Sequence, residues 1–215
     1  DDQIIGALEK ILLVNSKNKN NMKHLKKLAM TIVGLWCCMA ASAFFVDGGF
    51  YYNILSETDL TVVVIKGPST GDVSIPSTVA YNGQTYSVTS IASKAFSGSK
   101  GLTSITIPEG VTSIGSEAFF DCTGLTSITI PESVTIMGES AFYNCKGLTS
   151  ITIPGSVTSV GRQAFYGCTG LTSVTIPGSV TSMGESAFSY CTGLTSVTIL
   201  EGVTSVGHQA FYGCI

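Results

Sequence analysis

The chain has 215 residues, 44% hydrophobic and only 12% charged, with a net charge of −3. That apolar content argues against disorder, and little charge with many Gly, Ser and Thr suits short strands and turns better than long solvated helices. Beyond Gly98 only Lys100, Lys146 and Arg162 oppose seven acids, so there is no basic footprint for nucleic acid.

The amino terminus carries the cationic share: six of the eleven Lys and Arg precede residue 28. Residues 22–43 read as a secretory signal peptide. Met22 opens a stretch with Lys23, Lys26 and Lys27, an apolar run follows from Leu28, and Ala41-Ser42-Ala43 supplies small residues for cleavage after Ala43. Residues 1–21 then lie upstream of the true start, as over-translation. A competing reading takes 28–46 as an uncleaved anchor, because its apolar length approaches a bilayer span. A buried core helix is disfavoured, since nothing after it is helical enough to receive it. Cys37 and Cys38 lack the small preceding residue that a lipid-attachment site prefers. Signal and anchor both place the rest of the chain outside the cytoplasm, secreted or at the cell surface, and segment 28–46 is its only expected membrane contact.

Residues 44–98 read as a strand-rich cap. Asp47-Gly48-Gly49 can reverse the chain, and Phe50 to Leu55 and Leu60 to Ile65 have strand composition. Asn82-Gly83 between two strand-like runs is a strong hairpin signal. Val73-Ser74-Ile75-Pro76 and Val88-Thr89-Ser90-Ile91 echo the repeat described next, so residues 73–98 read as a degenerate first repeat with a hairpin insertion.

Residues 99–215 contain five copies of a 23-residue unit and the opening of a sixth, where the sequence reads as truncated. From Leu102 the unit is LTSITIPEGVTSIGSEAFFDC, and it restarts at Leu125, Leu148, Leu171 and Leu194. A fixed period of this size means a solenoid, whose units bury their apolar faces only against one another. In the unit from Leu125, Leu125, Ile128 and Ile130 fit the L-x-x-L-x-L strand of leucine-rich repeats. Thr126, Ser127 and Thr129 face outward, and Pro131 follows the strand. Val134 and Met137 begin a second extended piece, Gly138 is expected to supply a positive-φ turn, and Ala141, Phe142 and Cys145 return to the interior. The expected fold is a right-handed leucine-rich-repeat solenoid of short parallel strands, mostly β, with an irregular or short helical convex side and a small β cap before it.

The phrase L-T-S-I-T-I-P-x-S-V-T-S-I-G-x-x-A-F-x-x-C closely resembles the BspA-like leucine-rich repeats of bacterial surface proteins. The resemblance covers residues 99–215 fully and 73–98 loosely. It implies a secreted or surface-attached protein that mediates protein–protein interaction or adhesion to host matrix or other cells. Two departures stand out. Gly110, Ser133, Ser156, Ser179 and Gly202 occupy the place of the usual Asn/Cys ladder, and Leu200 replaces the proline of the other copies.

Cys122, Cys145, Cys168, Cys191 and Cys214 recur once per unit. Their side chains should point the same way in a ladder, which favours buried free thiols over disulfides or a metal chain. No nucleophile elbow, phosphate loop or zinc-protease motif occurs. Glu109 and Glu132 are read as solvated turn carboxylates, so catalytic residues, cofactor-binding residues and metal ligands are all assigned as none, and the chain is read as not an enzyme. Ser116, Glu139, Arg162, Glu185 and His208 form a surface column that should place Arg162 between two carboxylates and His208 beside Glu185.

The candidate partner-binding face is the outer side of the first strand. Thr103, Thr126, Thr149, Thr172 and Thr195 make one column, and Thr106, Thr129, Thr152, Thr175 and Thr198 another, with serines between them. Such a hydroxyl carpet offers many equivalent weak contacts to an extracellular protein or glycan. The plainer alternative is that Thr and Ser simply suit an exposed strand and add cross-strand bonds. Two further roles stay open: a spacer, or an accessory repeat region of a larger secreted protein such as an enzyme whose catalytic domain lies beyond Ile215.

Overall fold

A computed structural model describes residues 44–214. The signal or anchor reading of segment 22–46 therefore falls almost wholly outside the described residues. Strand β1 (Phe44–Asp47) turns through Gly48 and Gly49, with φ of 55° and 83°, into β2 (Phe50–Ser56). Strand β3 (Thr61–Lys66) runs antiparallel to β2, with Tyr52 opposite Val64. After β4 (Thr70–Ser74), strands β5 (Thr78–Tyr81) and β6 (Gln84–Ile91) form an antiparallel hairpin. Its two turn residues, Asn82 and Gly83, both have positive φ, at 50° and 78°, as a type I′ turn requires.

Strand β6 connects cap to repeats. One of its sides lies parallel to β3, with Val62 opposite Val88, and its end lies parallel to β8 (Ser113–Ile114), with Ile91 opposite Ile114. From there the two-residue strands β10 (Ile136–Met137), β11 (Ser159–Val160), β13 (Ser182–Met183) and β15 (Ser205–Val206) continue in parallel. Each step is one repeat. A single sheet thus runs from the cap through every coil.

The leucine strands behave differently. Strand β7 (Gly101–Thr106) lies between β4 and β9 (Ser127–Thr129), and β12 (Ser173–Ile176) pairs only with β14 (Ser196–Ile199). Between these two small sheets the coil from Leu148 contributes one bridge, Ser150 to Ser173. Leu200 explains one local gain: its backbone N–H donates to Ile176 O at 3.0 Å, a bond that proline at this position cannot make.

The interior is stacked in columns. Phe96, Phe119, Phe142, Phe165, Phe188 and Phe211 follow one another with ring centroids 4.9–5.4 Å apart and planes within 12° of parallel. Ala118, Ala141, Ala164 and Ala187 and the leucines at 102, 125, 148 and 171 are fully buried beside them. The described residues therefore form a β-solenoid of six coils, with no helix among them.

Of the two forms expected for the convex side, the irregular one is present, with no short helix among the described residues. Each coil places two residues in the left-handed region there: Glu117, Ser140, Gln163, Ser186 and Gln209 at one position, and Asp121, Asn144, Gly167, Tyr190 and Gly213 at another. A right-handed helix excludes such residues. The turns are instead bonded coil to coil, as by Phe119 N–H to Ala141 O and Asp121 N–H to Tyr143 O, both at 2.8 Å. One expectation needs correction, that for Gly138. It is not needed for positive φ, which falls two residues later at Ser140 (φ 53°). A Cβ on Gly138 would lie 2.5 Å from Ser116 N and 2.6 Å from Gly115 C. Glycine is required because the backbones of successive coils nearly touch.

Candidate functional site

All ten candidate threonines are exposed, yet the two columns differ in what their hydroxyls do. In the first, Thr126 Oγ1 donates to Thr103 O at 3.0 Å, Thr172 Oγ1 to Thr149 O at 3.3 Å and Thr195 Oγ1 to Thr172 O at 3.2 Å. Thr103 itself, with Ser104, donates to the Asp72 carboxylate at 2.7 Å. Those two hydrogen bonds, Thr103 first, hold the Asp72 carboxyl below its usual range. Thr126, Thr172 and Thr195 of the first column are thus occupied in tying coils together. Thr106, Thr129, Thr152, Thr175 and Thr198 are exposed, and their hydroxyls have no hydrogen-bond partner among the described residues.

A third threonine column went unrecognised in the sequence. Thr112, Thr135, Thr158, Thr181 and Thr204 each send a hydroxyl to the threonine carbonyl one coil earlier, at 2.8–3.3 Å. The first four also send the backbone N–H to that same carbonyl, at 2.9–3.1 Å. This doubled acceptor fixes register along the continuous sheet. The signal was present as an unbroken V-T-S/I pattern, but outward threonines also suit any exposed strand.

Each cysteine performs the corresponding task inside. Cys122, Cys145, Cys168, Cys191 and Cys214 are free thiols, and each Sγ donates to the phenylalanine carbonyl of the preceding coil at 3.0–3.2 Å. Burial pushes the Cys122 thiol up to about 12 and Cys145 well above its ordinary value. Cys168 is raised by the Cys191 thiol and by burial. Neutral, hydrogen-bonded thiols are poor nucleophiles and poor metal ligands.

At the place of the usual Asn ladder, Ser133 Oγ donates to Val111 O at 2.8 Å and Ser156 Oγ to Val134 O at 2.6 Å. A hydroxyl thus bridges to the previous coil's carbonyl in those two units, while Ser179 Oγ is buried without a partner.

On the convex edge Arg162 lies between Glu139 and Glu185, at 3.8 and 3.7 Å, with all three side chains about half exposed. His208 does not join them: Glu185 pairs with Arg162, and the His208 backbone carbonyl accepts from Ser186 N–H. Beside this network Phe120, Tyr143 and Tyr166 stack at 4.8 Å, with planes within 9° of parallel. The order then breaks. Tyr190 is tilted by 56° to Tyr166 and stands at 81° to Tyr212.

The geometry defines a leucine-rich-repeat solenoid, a class of repeat proteins built for protein interaction. The BspA type leucine-rich repeat region matches residues 89–215 in six copies, and the chain belongs to that family. Among solved structures, a leucine-rich repeat protein from Bacteroides ovatus ATCC 8483 is 35% identical, with a TM-score of 0.72 over 79% of this chain and 45% of its own. The chain thus spans less than half the length of that relative. The T. pallidum leucine-rich repeat protein is 26% identical, with a TM-score of 0.63 over 80% of this chain and 89% of its own. A leucine-rich cell surface protein from Faecalibacterium prausnitzii A2-165 is 27% identical, with a TM-score of 0.51 over 74% and 55%. No curated protein matches the chain.

Proposed function

We propose that the chain is an exported, surface-located adhesion protein that engages an extracellular protein through the outer face of its leucine strands. One observation carries this reading: the hydroxyls of Thr106, Thr129, Thr152, Thr175 and Thr198 are exposed and unpartnered among the described residues. In the neighbouring column Thr126, Thr172 and Thr195 spend their hydroxyls on the ladder. Hydroxyls repeated once per coil bind weakly at each point and gain by number. The F. prausnitzii relative, a cell surface protein, supports the location, as does the signal-like segment 22–43. A binding role rather than a catalytic one accords with the family.

The test is saturable binding of the purified chain to a panel of extracellular-matrix proteins. The variant Thr129→Lys/Thr152→Lys/Thr175→Lys places three cations on the face without touching the interior, and should weaken binding roughly tenfold or more. Equal binding by the variant, or no binding to any matrix protein, would refute the reading.

A further inference from the structure

Among the five 23-residue copies the aromatic rule breaks at one place, and a cavity lies there. Four coils place an aromatic residue directly after the buried Phe: Phe120, Tyr143, Tyr166 and Tyr212. The coil from Leu171 instead has Ser189 there and Tyr190 one position later. The displaced tyrosine takes a conformation that its side chain disfavours. Tyr190 has φ 57° at the position where the other coils have Asp121, Asn144, Gly167 and Gly213, residues that tolerate the left-handed region far better than a bulky aromatic. Strain of this kind persists where the surroundings enforce it, and it concentrates at functional positions.

The surroundings show how it is held. Ser189 is buried, and its Oγ donates to Gln209 O at 2.5 Å. The Tyr190 ring lies against Gly213, where an added Cβ would come within 3.0 Å of Cδ1. The ring missing from the stack leaves an open-sided cavity of about 430 Å³ between the coils. Tyr166, Tyr190 and Tyr212 supply its aromatic faces, and Gln163, Gln209 and Arg162 are among its polar lining.

We propose that this cavity is a binding subsite for a neutral saccharide, distinct from the threonine face and independent of its role. The volume falls in the range of small-ligand sites and suits one or two sugar rings. Tyr190 is 44% exposed, so it offers ring surface on which the C–H face of a pyranose can stack. Two side-chain amides, a guanidinium and the Glu185 carboxylate give donors and acceptors around that platform, the pattern that a ring with a hydroxyl rim requires. Charge narrows the class. Arg162 is already flanked by Glu139 and Glu185, so an acidic sugar or a phosphate meets a site without spare positive charge. The polar lining also disfavours an aromatic peptide side chain, which needs an apolar wall on all sides to be desolvated.

The test uses the full chain in ligand-observed NMR titrations. The neutral probes are cellotriose, N-acetyllactosamine and N,N′-diacetylchitobiose; sialyllactose and a tryptophan-containing hexapeptide are the contrasting probes. At least one neutral probe should bind with a Kd on the order of 1 mM. The variant Ser189→Tyr/Tyr190→Gly rewrites this coil as the Ala-Phe-Tyr-Gly-Cys of the coil before it, fills the gap and relieves the strain. It should fold at least as stably by urea denaturation and lose roughly tenfold or more in affinity. Gln163→Ala, which removes a lining amide and no ring, should weaken the same probe severalfold. The proposal is overturned if no neutral probe binds by about 10 mM, if the double variant binds as well as the parent, or if only sialyllactose or the peptide binds.

Discussion

The two sides of each coil are held by different means. On the turn side, a continuous sheet, an unbroken phenylalanine stack and a thiol-to-carbonyl bond recur in coil after coil. On the leucine-strand side, the ladder divides into a three-stranded and a two-stranded sheet, and the coil between them makes one bridge, to the two-stranded sheet, although the sequence there is just as regular. Sequence regularity and ladder regularity are therefore separable. Register is set where buried columns leave one way to stack, and the outer strand follows.

The largest expected difference between the sides comes from alkaline pH. Cys122 and Cys145 have values raised by burial in the folded state, so their contribution is complete below the unfolded thiol value of about 8.5. It is lost as pH rises towards the folded value, which for Cys122 is about 12. The unfolded chain ionises first, and each thiol adds a slope of up to about 1.4 kcal/mol per pH unit. Unfolding free energy from urea titrations should fall by several kcal/mol between roughly pH 8 and pH 10, and Cys122→Ala/Cys145→Ala should flatten that fall. Next, Phe142→Ala opens the stack between Phe119 and Phe165 and should cost about 3–5 kcal/mol in urea unfolding. A matching truncation on the other side, at half-buried Ile128, should cost clearly less; equal losses would erase the contrast. Gly161→Ala sets a methyl 2.5 Å from the Gly138 backbone and should destabilise by about 1–3 kcal/mol. The smallest effect belongs to Arg162→Ala. Its two ion pairs are half exposed, so the change should stay below about 1 kcal/mol and vanish in high salt.

Much of the fold was legible because the period was. Five copies in register define which residues share a column, and the Asn82-Gly83 pair marked the cap hairpin. What escaped was the reason for particular residues. Glycine at 138 looked like a turn residue because glycine so often is one; the close approach of Gly115 becomes visible only when the coils are stacked. The left-handed positions are filled by Glu117, Ser140 and Gln163, types that give no warning in a sequence. Of the candidate face, the exposure of the threonines was readable from alternation, but the division between engaged and idle hydroxyls depends on which carbonyl lies one coil back. The exchange of Ser189 and Tyr190 was open to inspection throughout. Comparing each copy with the shared pattern, rather than seeking the shared pattern itself, would have found it.

The backward reach of the threonine and cysteine side-chain donors has a mechanical meaning. Thr126, Thr135, Cys145 and Ser156 all bond to the coil before their own, and consecutive coils are joined by a single strand of backbone. A chain tethered at one end and tugged at the other would pay out in equal lengths, one 23-residue turn or about 80 Å of slack at a time. Each release leaves the next turn with its own grip intact, so such a molecule yields stepwise under load and does not rupture at once.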